Sequence, residues 1–404
     1  MPVIAKGVAK SVAISKQANF DTPAPAGASR LLRRVTASFN LVKETYQSEE
    51  IRTSYQLADM RHGVRSATGE LNGELSAGSY FDLQEGLLAR DYTVIAPIAG
   101  LSITVAASGL NYTLTRAAGS WITDGVNPGK VVRLTAGAFA VANLNKNILV
   151  MQVTALVLTV KVLNNSSMAV EGPIATATLS TPGKQTFAPL TNHTDQSFTV
   201  EERYTDINQY ERFDGLKVTS MKVNIPATGM TTTDFSLVGK DMGRAAVTPY
   251  FTAPTAQSST GIMAGVNGAL LLNGQAVALI TSADFGIERA TENAVVVGSN
   301  TLADIFTGKI TASGNLSIYF VDGVSRDLFS DETEFTLVFA LTESNLAAAN
   351  VISVSFPRVK LGGFEKADAE LGIMASSPFT ALENSVVTGG LQATTVSIQD
   401  TSLV

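Results

Sequence analysis

The side chains that carry chemistry in enzymes are few in this chain, and they stand apart. His62 and His193 sit in polar, turn-like contexts that suit exposure better than a ligand or general-base role. The adjacent acids Glu49-Glu50 and Glu201-Glu202 would project to opposite faces of a strand, so they read as solvated charges rather than a catalytic pair. There is no cysteine, which removes disulfides and thiolate metal sites. No Gly-Lys-Ser/Thr phosphate loop, His-Glu-x-x-His or Gly-x-Ser-x-Gly run is present. Asn111-Tyr112-Thr113 and Asn192-His193-Thr194 have the form of glycosylation triplets, which a Thr- and Ser-rich chain supplies by chance. The expectation is no catalytic residue, no metal and no cofactor.

What remains is polarity in rows. Ser66, Thr68, Glu70, Asn72, Glu74 and Ser76 share one parity, and Ala67, Gly69, Leu71, Gly73 and Leu75 share the other. Period two over this length predicts a β-strand with one wet face and one packed face. Ser79 with Asp82 three residues on predicts a capped helix start, with Leu83, Leu87 and Leu88 as its apolar stripe. Before the strand, the loop around Glu49, Glu50, Arg52, Asp59 and Arg61 is charged and long for a plain connection. It suits either a solvated hairpin tip or a contact to another subunit.

Much of this stretch occurs twice. Ser282-Ala283-Asp284-Phe285-Gly286-Ile287 answers Thr36-Ala37-Ser38-Phe39-Asn40-Leu41. Thr307, Lys309, Thr311, Ser313, Asn315 and Ser317 form a second polar parity, and Gly314-Asn315-Leu316-Ser317 is matched to Gly73-Glu74-Leu75-Ser76, which sets Lys309 beside Thr68. Ser197-Phe198-Thr199-Val200 matches Glu334-Phe335-Thr336-Leu337, and Met221–Pro226 matches Ile352–Pro357.

The chain therefore divides into an N-terminal arm (1–30), copy A in two parts (31–96 and 173–242), an inserted β-module (97–172), a linker (243–268), copy B (269–386) and a polar, loosely held tail (387–404). The arm is expected to dock on a neighbour as an added strand. Within the insertion, Leu101–Val105, Thr113–Arg116, Val131–Leu134 and Ile148–Val153 read as strands around a Trp121 plug beside Phe139. Leu270–Ile280 reads as a hairpin about Asn273-Gly274.

Over 404 residues only 16% are charged, against 45% apolar, which favours a subunit that buries surface against neighbours. The net charge of −6 argues against tight nucleic-acid binding but not against a surface that DNA passes without sticking. No run is long and apolar enough to be a signal peptide or membrane span.

The run from Ser38-Phe39 through Glu50-Ile51-Arg52 and Ala58-Asp59-Met60-Arg61-His62-Gly63 to Gly69-Glu70-Leu71 and Glu74-Leu75-Ser76 resembles tail tube proteins of long-tailed bacteriophages. Ser197–Glu202, Phe213-Asp214-Gly215 and Val354–Val359 resemble the same family, and Gly119-Ser120-Trp121 through Gly129–Val132 is similar to a β-domain inserted in some members. The resemblance covers roughly residues 30 to 385. It implies a mainly β fold: two tandem tail-tube-like barrel or sandwich domains, each with a short helix, plus the inserted domain. It also implies a structural, non-enzymatic virion protein made in the host cytoplasm, whose stacked rings conduct DNA without specific binding. Three chains would give a pseudo-sixfold ring, with six chains the alternative, and the other partners would be tail terminator, tape-measure and tail-tip proteins. On that reading Ser66, Thr68, Glu70, Asn72, Glu74, Ser76, Lys309, Thr311, Ser313, Asn315 and Ser317 face the lumen, and Glu49, Glu50, Arg52, Asp59 and Arg61 join rings. The competing reading is a β-rich adhesin or receptor-binding protein. Such a protein presents aromatic platforms, and this chain has a single tryptophan.

Overall fold

The alternation about Leu71 becomes one long strand, Met60–Glu74, in the computed structural model of the chain. The structure describes residues 4–164, 166–277, 279–321, 323–367, 372–386 and 389–403. The architecture is mainly β, with two short α-helices among the described residues, Phe81–Leu88 and Val324–Ser330.

Met60–Glu74 forms a hairpin with Thr36–Gln47 in which Phe39 lies opposite Gly69. Ile280–Ala294 and Asp304–Tyr319 form a second hairpin in which Phe285 lies opposite Gly314. Each glycine is bare where a ring or backbone needs the space: a Cβ on Gly69 would stand 2.3 Å from the Phe39 ring, and one on Gly314 would stand 2.1 Å from the Asp284 carbonyl. Both hairpins carry the same bulge, with Glu44 opposite Gly63-Val64 in one and Ala290 opposite Gly308-Lys309 in the other. An extra residue at a matched position bends both hairpins alike.

The pairing fixes the repeat more finely than identity does. Gly314 answers Gly69, not Gly73, and Lys309 answers Val64, not Thr68. The sequence offers Gly-Glu-Leu at both 69–71 and 73–75, so matching letters alone picks the wrong one. Phe198 and Phe335 do correspond, since each starts a strand that pairs across an equivalent bulge, with Leu216 and with Val359. That register makes Phe356 the counterpart of Phe213, so the expected match of Ile352–Pro357 to Met221–Pro226 is displaced.

The aromatic core repeats with it. Phe39 and Phe213 lie 5.6 Å apart between ring centroids, and Phe285 and Phe356 lie 5.5 Å apart. Such pairs contribute about 0.5–1.5 kcal/mol beyond area burial. The first helix buries Leu83, Leu87 and Leu88, but it is not capped as the sequence suggests. Its N-cap is Tyr80 without a side-chain cap bond; Ser79 bonds Ser76 instead, and Asp82 pairs with Arg30.

Residues 98–180 close into a six-stranded barrel around a fully buried Trp121, with Phe139 in the same core. Its last strand runs Glu171–Ser180, so the expected boundary at 172 falls inside that strand. The barrel docks on copy B through Val131, Leu149 and Met151 against Leu271, Val338 and Ala340.

Both termini differ from expectation. Lys10–Lys16 is no arm for a neighbour: it pairs with Phe198–Tyr204 of its own chain, as Gly268–Leu272 pairs with Phe335–Thr342 in copy B. The tail is not loose where it is described. Ser397–Asp400 is buried between Lys184–Phe187 and Ile352–Ser355, because Val396 and Ile398 are needed to fill the core.

Candidate functional site

Eight strands follow one another edge to edge: Thr36–Gln47, Met60–Glu74, Thr232–Gly239, Gln209–Pro226, Ile280–Ala294, Asp304–Tyr319, Met374–Ala381 and Val351–Leu361. Each copy supplies four. One face of this sheet is packed, with Ala67, Leu71, Phe235, Met221, Phe285, Ala312, Leu316 and Phe379 all buried. The other face is open and concave, lined by Glu70, Asn72, Ser220, Lys222, Asp234, Ser236, Asp284, Glu288 and Ser313 among others.

Most of the residues expected on a polar face share this parity. Thr68 and Glu70 are exposed, and Ser66, Asn72 and Glu74 are half-buried. Thr311 and Ser313 are exposed, with Asn315 and Ser317 half-buried. Ser76 does not belong: it lies past the strand end, is buried, and its Oγ sits 2.7 Å from Ser79 Oγ. Lys309 is exposed but sits in the bulge. Below the bulge the parity is reset, so Thr307 turns to Arg289, at 2.8 Å. Five acids (Glu70, Glu74, Asp234, Asp284, Glu288) share the open face with Lys222, and Lys360 ends the row of Lys222 on the edge strand, opposite Thr380. Asn72 bonds Asp234 across two of those strands. The contribution of the other strands to this polar face was missed from sequence, although Ser220-Lys222-Asn224 and Thr232-Asp234-Ser236 alternate in the same way.

The sheet ends in two open edges. Among the described residues, Thr36–Gln47 pairs only with Met60–Glu74, and Leu361–Ala367 pairs only with Met374–Ala381. An unpaired edge of this length invites another chain. The hairpin continues past the sheet to a tip at 48–59 whose charges satisfy one another: Arg52 lies 2.9 Å from Glu50, and Arg61 lies 3.0 Å from Asp59. Glu49 is exposed beside them. Ile51, Tyr55 and Leu57 are also exposed there, so the tip offers apolar contacts that the charge pattern did not suggest.

Within the chain the two copies meet along one seam, where Ser220 lies opposite Glu288, Lys222 opposite Gly286 and Asn224 opposite Asp284. A charge cluster with buried cations and half-exposed carboxylates closes it. Lys217 Nζ is 2.5 Å from Asp195, 3.1 Å from Asp304 and 2.6 Å from the Ile305 carbonyl. Arg289 reaches Asp195 at 3.4 Å; burial lowers its pKa and Asp195 opposes that shift. The cluster is not legible in the sequence because its members are distant in the chain.

Glu201 and Glu202, expected to be solvated, are both buried. Lys10 pairs with Glu202 at 2.7 Å, Arg203 with Glu201 at 3.3 Å, and the Phe251 N–H donates to Glu201. They hold structure. His62 and His193 are exposed, and among the described residues no group of three or more His, Asp or Glu is placed to hold a metal. Among the described residues no helix is long and apolar enough to cross a membrane.

The geometry is that of a curved wall with a polar hollow side and two edges that no strand of the described residues covers, one of them capped where Lys10 donates to the Ala37 carbonyl and the Phe39 N–H donates to Glu202. A family model described as phage tail tube protein matches residues 7–381 of this chain. No curated protein matches it significantly.

Proposed function

The chain belongs to the phage tail tube protein family and is a structural subunit of a virion tail tube, and we propose that three copies close each ring of that tube. The carrying observation is one strand seen in two situations. In copy B, Ile287 is 0% exposed because Ile280–Ala294 is paired on both sides. Its counterpart in copy A, Leu41, is 37% exposed on a strand paired on one side only. The same sequence element is buried where a copy precedes it and bare where the chain ends. A neighbour's Leu361–Ala367 edge supplies the missing strand. Three chains of eight strands then form a barrel with no edges.

On this reading the concave face becomes the lumen. Thr68, Glu70, Asn72, Glu74, Thr311, Ser313, Asn315 and Ser317 line it together with Asp234, Asp284 and Glu288. Double-stranded DNA carries a phosphate charge about every 1.7 Å of axis, and each lysine or arginine contact adds affinity by counterion release. A lumen with more acid than base lets the genome slide. Rings stack through the hairpin tip at Glu49 to Arg61, and the tube ends meet tail terminator, tape-measure and tail-tip proteins after synthesis in the host cytoplasm. Because the subunit provides a conduit rather than a reaction centre, no catalysis is assigned to it.

Native mass spectrometry of isolated rings tests the stoichiometry. Three chains of 42.4 kDa give about 127 kDa by simple multiplication, and a mass near twice that value refutes the three-chain ring.

A further inference from the structure

The seam inside the chain is a template for the seam between chains. Corresponding positions follow from the pairing alone. Lys360 answers Lys217, because Val359 and Leu216 both pair across the same bulge with Phe335 and Phe198. Glu332 answers Asp195, three residues before those phenylalanines. Lys43 answers Arg289 and Asp59 answers Asp304, on either side of the matched hairpin bulge. All four positions keep their sign of charge.

The isolated chain already shows half of the second cluster. Lys360 Nζ is 3.5 Å from Glu332, the counterpart of the Lys217–Asp195 pair at 2.5 Å. Asp59 has the local geometry of its counterpart: its carboxylate accepts from the Met60 N–H at 2.8 Å, and that of Asp304 accepts from the Ile305 N–H at 2.7 Å. The difference is burial. The Lys217 and Arg289 side chains are 4% and 6% exposed, whereas Lys360 is 36% and Glu332 84% exposed. The two halves, Lys360 with Glu332 and Lys43 with Asp59, lie at the two opposite open edges of the sheet, so they cannot meet within one chain.

We propose that the seam between neighbouring chains is locked by Lys360 and Glu332 of one chain against Lys43 and Asp59 of the next, repeating in trans the Lys217, Asp195, Arg289 and Asp304 cluster. The partner is a second copy of this chain, and the assignment rests on the ring described above. It also sets the strand register. By transfer from Lys222 opposite Gly286 and Asn224 opposite Asp284, Glu365 lies opposite Asn40 and Ala367 opposite Ser38 of the next chain.

Two sets of variants test it in the full chain. Lys360→Glu sets a carboxylate against Asp59, and Asp59→Lys sets an ammonium against Lys360. Like charges facing across an interface oppose association, so each single variant lowers tube yield at low salt by at least about tenfold, while circular dichroism of the unassembled chain stays unchanged. The double variant restores opposite charges and recovers yield to within about twofold of the parent. Separately, Asn40→Cys with Glu365→Cys in this cysteine-free chain crosslinks assembled tubes on oxidation into species that end at three chains on a denaturing gel. A three-chain limit without rescue by the double charge variant overturns the charge lock and leaves the ring. Crosslinked species running on to six chains with rescue overturn the three-chain ring and leave the lock. Absence of any crosslink in well-formed tubes overturns the seam and the lock with it.

Discussion

Lys217→Ala removes an ammonium that is 4% exposed and lies 2.5 Å and 3.1 Å from two carboxylates and 2.6 Å from the Ile305 carbonyl. Breaking a buried ion pair from one side costs about 3–5 kcal/mol when the surviving charge stays dry. Here Asp195 and Asp304 are 45% and 46% exposed and take up water, and Arg289 still faces Asp195. The cost therefore falls to about 1–3 kcal/mol, part of it from the orphaned Ile305 carbonyl. The counterpart lesion, Lys360→Ala, removes an exposed pair to Glu332 at 3.5 Å and a looser contact to Glu334 at 3.9 Å, which together contribute about 0–1 kcal/mol in the free chain. The two variants thus separate folding from assembly. Urea unfolding of the unassembled chain, followed by far-ultraviolet circular dichroism, should show a lower midpoint at unchanged slope for Lys217→Ala and almost none of that shift for Lys360→Ala. Tube yield should fall for Lys360→Ala at a concentration where the parent polymerises. Equal midpoint losses for the two lysines would refute the argument that one cluster is complete within the chain and the other waits for a neighbour.

Three other outcomes are expected. Burial pushes the Glu85 carboxyl up to about 7, with the Tyr92 N–H bond opposing the shift and Asp91 and Asp82 adding to it. A carboxyl whose folded pKa lies above its unfolded value of 4.5 loses stability as pH rises from about 4.5 to about 7 and stays penalised above that. Glu85→Gln should therefore raise the melting midpoint at pH 8 and leave it nearly unchanged at pH 4.5; the same gain at both pH values would count against the assignment. Changing Glu70 and Glu74 together to lysine should leave tubes intact and slow DNA delivery, most strongly at low salt, and normal delivery through well-formed tubes would exclude these residues from the lumen. Deleting 54–58 removes Tyr55 and Leu57 from the hairpin tip while keeping Asp59, and should give folded chains or single rings that do not stack, a role that tubes of normal length would rule out.

The polar face was legible in sequence because period two survives over a long strand: Thr68, Glu70 and Asn72 alternate with Ala67, Gly69 and Leu71 without interruption. The register of the repeat was not, because Gly-Glu-Leu recurs four residues apart in the same strand. Only the partner strand, which sets Phe39 over Gly69 and Phe285 over Gly314, chooses between the two. Ser76 failed for a related reason: parity carries no mark of where a strand stops, and the chain turns into the Ser79 bond one step earlier. Glu201 and Glu202 were misjudged because a carboxylate's burial depends on partners far away in sequence, here Lys10 and Phe251. The termini were misjudged likewise, since a valine- and isoleucine-bearing N-terminus docks equally well on its own chain or another, and the pairing with Phe198–Tyr204 is non-local.

Rotational symmetry of the assembled tube, read from electron cryomicroscopy of its cross-section, decides how many chains close a ring. The expected result is a threefold ring that looks nearly sixfold along the inner wall, with Thr36–Gln47 of each chain paired to the 361–367 edge of the next and Glu70 on the lumen. A true sixfold ring of six chains, or a wall in which Leu71 and Leu316 face the channel, would contradict it.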